Sequence, residues 1–190
     1  MLRSYGSRFV WVLVLALWVV VAQAQEFRYR YVNLDAAVPS SFLFFIPAAI
    51  NDGGRVYGTL WSCGDANCDY LAVTNAVYAA DTITPLQPGI ACCVNNEGTI
   101  GGSVLTDPIN FIQQAALFHE NSVELIPRQP GEVTSYVIAL NDPDEALVES
   151  FDASGRLTYL LYSKGQETPL DFGPTVTNPL VRRATNGTLA

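Results

Sequence analysis

From Phe44 onward the chain alternates short apolar runs with polar turns. The runs are too short, and too rich in β-branched and aromatic residues, for helices. "FFIPAAI", "GRVYGTLW", "YLAVTNAVYA" and "TITPLQ" follow one another through residues 44–87. The same order returns as "IACCV", "GTIGGSVL", "QQAALF" and "SVELIP", then as "SYVIAL", "EALVESFD", "RLTYLLY" and "QETPLDF". An asparagine behind the first run of each set marks the period: Asn51, Asn95, Asn141 and Asn186 stand 44, 46 and 45 residues apart. The pattern predicts an all-β fold of repeated four-stranded antiparallel units, each of about 45 residues.

A unit of that length and strand number is the building block of a β-propeller-like array, in which each sheet buries its faces only against its neighbours. The opening "FRYRYVNLD" reads as an isolated strand, and "LVRRATNGTLA" as a first strand with the beginning of a second. The expected domain therefore runs over 25–190, with three full repeats, a partial fourth and an incomplete ring. The recurring asparagine has a physical reason. Asn and Asp bond their own backbone a few residues on and tolerate positive φ, and Gly adopts it freely, so each of the four asparagines is read as a turn between first and second strands.

The segments "AAINDGGRVYG", "CCVNNEGTIGGS" and "QAALFHENSVELIP" resemble the extracellular HAF repeat, and the likeness spans the mature chain. Gln114 and Thr158 replace the histidine of that repeat in the second and third copies, and the third copy reads "NDPDEALVE" where glycines are expected. The resemblance implies an exported, propeller-like β-repeat protein. It brings no catalytic residues with it.

Arg3 and Arg8 precede an apolar run from Phe9 to Ala22 that closes on Ala22-Gln23-Ala24. This is the anatomy of a signal peptide over residues 1–24, and it places the protein outside the cytoplasm, secreted or periplasmic. Contact with a membrane is expected only through an uncleaved signal segment. Removing residues 1–24 takes two of the ten basic residues and none of the 18 acidic ones, leaving a formal charge of −10. Such a surface repels nucleic acid, and the pair Arg182-Arg183 is too small to reverse that. Four cysteines in an exported chain point to disulfides. Cys63 with Cys68, flanking "GDAN", is the simplest pairing; it leaves Cys92 with Cys93, and a crossed pairing between the two segments stays open. The spacing does not suit a zinc site.

Candidate chemistry is sparse. His119 is the sole histidine and reads as a turn residue beside Glu120, without a nucleophile motif. A calcium reading of the third turn rests on Asn141, Asp142, Asp144 and Glu145, but the acidic series is thinner than that of a dense calcium loop. No cofactor is assigned. Tyr57, Trp61, Tyr78, Phe118, Tyr159 and Tyr162 are expected mostly between sheets, with some placed to stack on sugars. The sequon at Asn186 is read as the repeat turn. The function expected is a non-enzymatic binding or interaction module for an extracellular protein or glycan. Its rivals are a propeller-type glycan hydrolase using two turn carboxylates, and a truncated fragment without independent activity.

Overall fold

The computed structural model describes residues 31–171. The signal peptide, the partial fourth repeat with Asn186, and Arg182-Arg183 lie outside those residues. Twelve strands form three sheets, each a four-stranded antiparallel meander. The first contains β1 (Phe44–Ile50), β2 (Val56–Cys63), β3 (Leu71–Ala79) and β4 (Thr82–Pro88). The second contains β5 (Ile90–Val94), β6 (Ile100–Asp107), β7 (Ile112–His119) and β8 (Ser122–Leu125). The third contains β9 (Glu132–Leu140), β10 (Ala146–Asp152), β11 (Leu157–Ser163) and β12 (Gln166–Leu170).

One irregularity recurs in all three sheets. The first strand slips register against the second at Ala48, Cys92 and Ile138, in each case three residues before the repeat asparagine. A bulge inserts one unpaired residue and so breaks the two-residue alternation of faces. Ala91 and Cys93, which would share a face in a regular strand, therefore point to opposite sides. Ala91 packs with Tyr57 of the first sheet and Cys93 with Val137 of the third. The bulge lets one short strand fill the gaps on both of its sides.

Two apolar layers result. Between the first and second sheets lie Tyr57, Ala91, Ile100, Ala116 and Phe118. Between the second and third lie Cys93, Ala115, Leu117, Ile126, Val137, Ala146, Val148, Leu160 and Tyr162. The outer face of the first sheet, with Phe45, Leu60, Ala76 and Ile83, is covered by Leu34, Ala37, Val38 and Phe42. In that cap the described end of the expected opening strand folds differently. Asn33 accepts the Asp35 N–H and starts a 3-10 turn over Leu34–Ala37, because an Asn ahead of such a turn satisfies a backbone donor that no carbonyl can reach.

Cys63 and Cys68 are joined in a disulfide that closes the loop between β2 and β3, which rules out a crossed pairing with the second segment. It is a bond typical of oxidising compartments. Cys93 is buried between sheets, and the bulged Cys92 packs half-buried at the edge of the same layer. No helix among the described residues is long and apolar enough to cross a membrane.

Candidate functional site

Each described repeat asparagine closes its own turn. Asn51 Oδ1 accepts the Arg55 N–H at 3.1 Å, Asn95 Oδ1 the Thr99 N–H at 2.9 Å, and Asn141 Oδ1 the Glu145 N–H at 2.8 Å. The third residue after each asparagine sits at positive φ: Gly54 at 73°, Gly98 at 93° and Asp144 at 61°. Asp144 thus occupies a place that glycine fills in the other copies, which Asp tolerates better than most side chains.

The turns also bind one another. Asp52 N–H donates to Asn96 Oδ1 at 3.0 Å, and Asn96 N–H donates to Asp142 Oδ1 at 2.9 Å. Asn96 Nδ2 adds a bond to Asp142 Oδ2 at 3.2 Å, and the buried Asn95 sends Nδ2 to Asp144 Oδ1 at 2.7 Å. Glu145 Oε2 accepts from Asn141 Nδ2 at 2.8 Å. The acidic groups considered for calcium are thus occupied by amide donors. Among the described residues no three His, Cys, Asp or Glu side chains are grouped to hold a metal ion.

Beside the first two turns a cleft of about 500 Å³ opens between the first and second sheets. Arg55, Tyr57 and Gln87 line one wall, while Glu97, Thr99, His119 and Glu120 line the other, and Asp144 reaches in from the third turn. Three carboxylates and one guanidinium give the cleft an acidic balance, and Tyr57 and Phe118, which also border it, are buried. Behind it, Asn75 on β3 is fully buried, and neither atom of its amide has a hydrogen-bond partner among the described residues. Its neighbour across the strand pair is Thr59, whose Oγ1 accepts the Ala91 N–H across the gap at 2.9 Å.

His119 ends β7 rather than lying in the turn. The hairpin pairs it with Ser122, which sets Glu124 diagonally across on the same face. Its Nε2 lies 3.3 Å from Glu124 Oε2 and its Nδ1 lies 3.5 Å from Thr99 Oγ1. The expected neighbour Glu120 has no such role. The order carboxylate, imidazole, hydroxyl is that of an activated nucleophile. Yet 3.5 Å exceeds the roughly 2.6–3.2 Å over which a base takes a proton, and Glu124 is shared, since its Oε1 accepts the Tyr162 hydroxyl. Burial, then this bond, push the Tyr162 hydroxyl up to about 12. The arrangement orients the imidazole at the cleft edge, and Gln87 Nε2 fixes the same spot by donating to the His119 carbonyl at 2.7 Å.

Thr99, Glu124 and Asn75 escaped the reading of the sequence. The two-residue hairpin "EN" carried the signal for Glu124, and the lone amide in "LAVTNAVYA" carried it for Asn75. Trp61, expected between sheets, is half-buried and stacks with Phe44 at 5.8 Å and Phe111 at 6.2 Å. Compared with protein-family models, curated proteins and solved structures, the chain shows no significant match to any. The fold and site therefore define only a class: an all-β protein of repeated four-stranded sheets with a polar cleft in its first gap.

Proposed function

We propose that this is an exported binding module of HAF-repeat type, its sheets arranged propeller-like, and that the cleft between the first two sheets receives a glycan. The observation carrying this reading is the cleft itself. Carboxylates, an arginine and an imidazole converge there, a mixture that grips sugar hydroxyls through hydrogen bonds. The cleft lies among the turn loops, where a rigid β scaffold carries its binding residues. A non-catalytic role agrees with the long Thr99–His119 separation and with Asp144 being tied to Asn95. The rival reading, a glycan hydrolase, draws on Glu97, Glu120 and Asp144 sharing one cleft, since such enzymes work with two carboxylates.

Titrating the purified protein with a panel of neutral oligosaccharides, by calorimetry and by a reducing-end assay, tests both readings. Heat of binding that disappears in Arg55→Ala, whose side chain is exposed at the cleft, with no new reducing ends, is the expected result. Release of reducing ends that Glu97→Gln or Glu120→Gln abolishes would establish the hydrolase instead. No binding to any member of the panel would overturn the glycan assignment and leave a protein partner.

A further inference from the structure

The third sheet has an apolar cluster on the face turned away from the second. Ala139, Leu147 and Tyr159 are only 4%, 5% and 7% exposed there, with Ile138, Leu157 and Leu170 packed beside them. All six residues belong to the third sheet, so no other described element contributes to the cluster. In the first and second sheets the corresponding face is covered by the first strand of the next unit.

Two contacts show how that covering works. The residue four before a repeat asparagine faces back onto the previous sheet. Ala91 donates its N–H to Thr59, eight residues after Asn51, and Val137 Cγ1 lies 2.7 Å from where a Cβ on Gly101, six after Asn95, would stand. Carried one unit further, the residue four before Asn186 is Arg182, and the positions six and eight after Asn141 are Leu147 and Glu149.

Both positions change character at this step and nowhere earlier. Eight after the asparagine the chain has Thr59, Ser103 and then Glu149; four before it, Pro47, Ala91, Val137 and then Arg182. A carboxylate appears in the one sheet whose successor segment brings a guanidinium. The half-buried Glu149 accepts the Tyr159 hydroxyl through Oε1 at 3.1 Å on this face. Burial, with Glu149 second, also pushes the nearby Tyr136 hydroxyl up to about 12. The segment keeps the small residue of the repeat two before the asparagine, with Ala184 matching Ala49, Cys93 and Ala139, and it offers Leu180 two residues ahead of Arg182.

We infer that residues 179–186 dock on the far face of the third sheet as the first strand of a fourth unit, with Arg182 paired to Glu149. The occupant is this chain's own segment, chosen by register and by charge. Hydrogen exchange on the full-length protein, read at the amides of residues 180–185, tests it alongside Arg182→Glu, Glu149→Arg and the double variant. Protection is expected in the wild type, with at least about a tenfold loss in each single reversal and recovery in the double. Two further readouts separate other occupants: exchange repeated across a hundredfold range of protein concentration, and the response of amides 26–31 to Glu149→Arg. Unprotected amides at 180–185, or protection indifferent to the reversals, would overturn the inference. So would protection that rises with concentration, which means a second copy, or a Glu149→Arg response at 26–31 in place of 180–185, which means the N-terminal segment.

Discussion

The two gaps between the three sheets are built from equivalent positions and come out differently. Facing the first gap from β2 and β3 are Tyr57, Thr59 and Asn75; facing the second from β6 and β7 are Gly101, Ser103 and Ala115. The second set is small. A Cβ on Gly101 would stand 2.7 Å from both Cys93 Sγ and Val137 Cγ1, so only glycine lets the third sheet come this close. In the first gap the Tyr57 ring stands where Gly101 stands in the second, and beside it the polar cleft remains open. The turns follow suit. One bond joins the first turn to the second, through Asp52, whereas Asn95 and Asn96 together stitch the second turn to the third. One repeat thus supports both a locked joint and a binding site, and the size of a few side chains decides which is which.

Truncating a leucine in each gap should give the widest difference. Leu117→Ala, in the locked gap, is expected to cost about 3 kcal/mol in denaturant unfolding, within the usual range for a buried leucine, whereas Leu86→Ala at the half-open cleft should cost under about 1 kcal/mol. Next come the asparagines. Asn95→Ala removes a turn acceptor and the donor to Asp144, and should cost about 2–3 kcal/mol, against about 1 kcal/mol for Asn51→Ala, which closes only its own turn. Equal costs would mean that the stitching between turns contributes nothing.

A substitution in the open gap should act in the opposite direction. Asn75→Leu replaces a buried amide without partners among the described residues by an apolar group of similar volume and is expected to raise stability by about 1 kcal/mol. A loss of stability would mean that Asn75 has a partner, such as water, that the described residues do not supply. The smallest effect is a pH dependence belonging to the locked gap. Folded Tyr162 keeps its proton up to about 12, whereas the same hydroxyl in the unfolded chain loses it near 10.0. Its contribution is therefore full below pH 10 and is lost as pH rises from 10 to 12. Tyr162→Phe should flatten that part of the stability profile in thermal melts.

The strands were legible in the sequence because a sheet half-buried on both faces leaves short apolar runs between turn residues, and a period of 44 to 46 cannot arise from composition alone. The turn role of Asn51, Asn95 and Asn141 was legible for the same reason: the bond from the side chain to the residue four ahead is local. The stitching between turns was not, since Asn95 and Asp144 are 49 residues apart and meet only when sheets stack. The cleft was equally hidden. It depends on Tyr57 standing where Gly101 stands one unit later, a difference that looks in sequence like ordinary variation between copies. The 3-10 turn at Leu34–Ala37 was missed because Asn33 ends an aromatic run that reads as a strand, while its capping bond needs only the following two residues.

Two backbone amides report the contrast directly, each donating across one gap to a hydroxyl on the opposite sheet. Ala91 N–H reaches Thr59 Oγ1 at 2.9 Å across the open gap, and Ala115 N–H reaches Ser135 Oγ at 3.1 Å across the locked one. Native-state hydrogen exchange measured at both amides compares the free energies of opening the two gaps. The Ala91 amide should exchange at least about tenfold faster than that of Ala115, a difference of about 1.4 kcal/mol. Equal rates, or faster exchange at Ala115, would contradict the division into a locked joint and an open one.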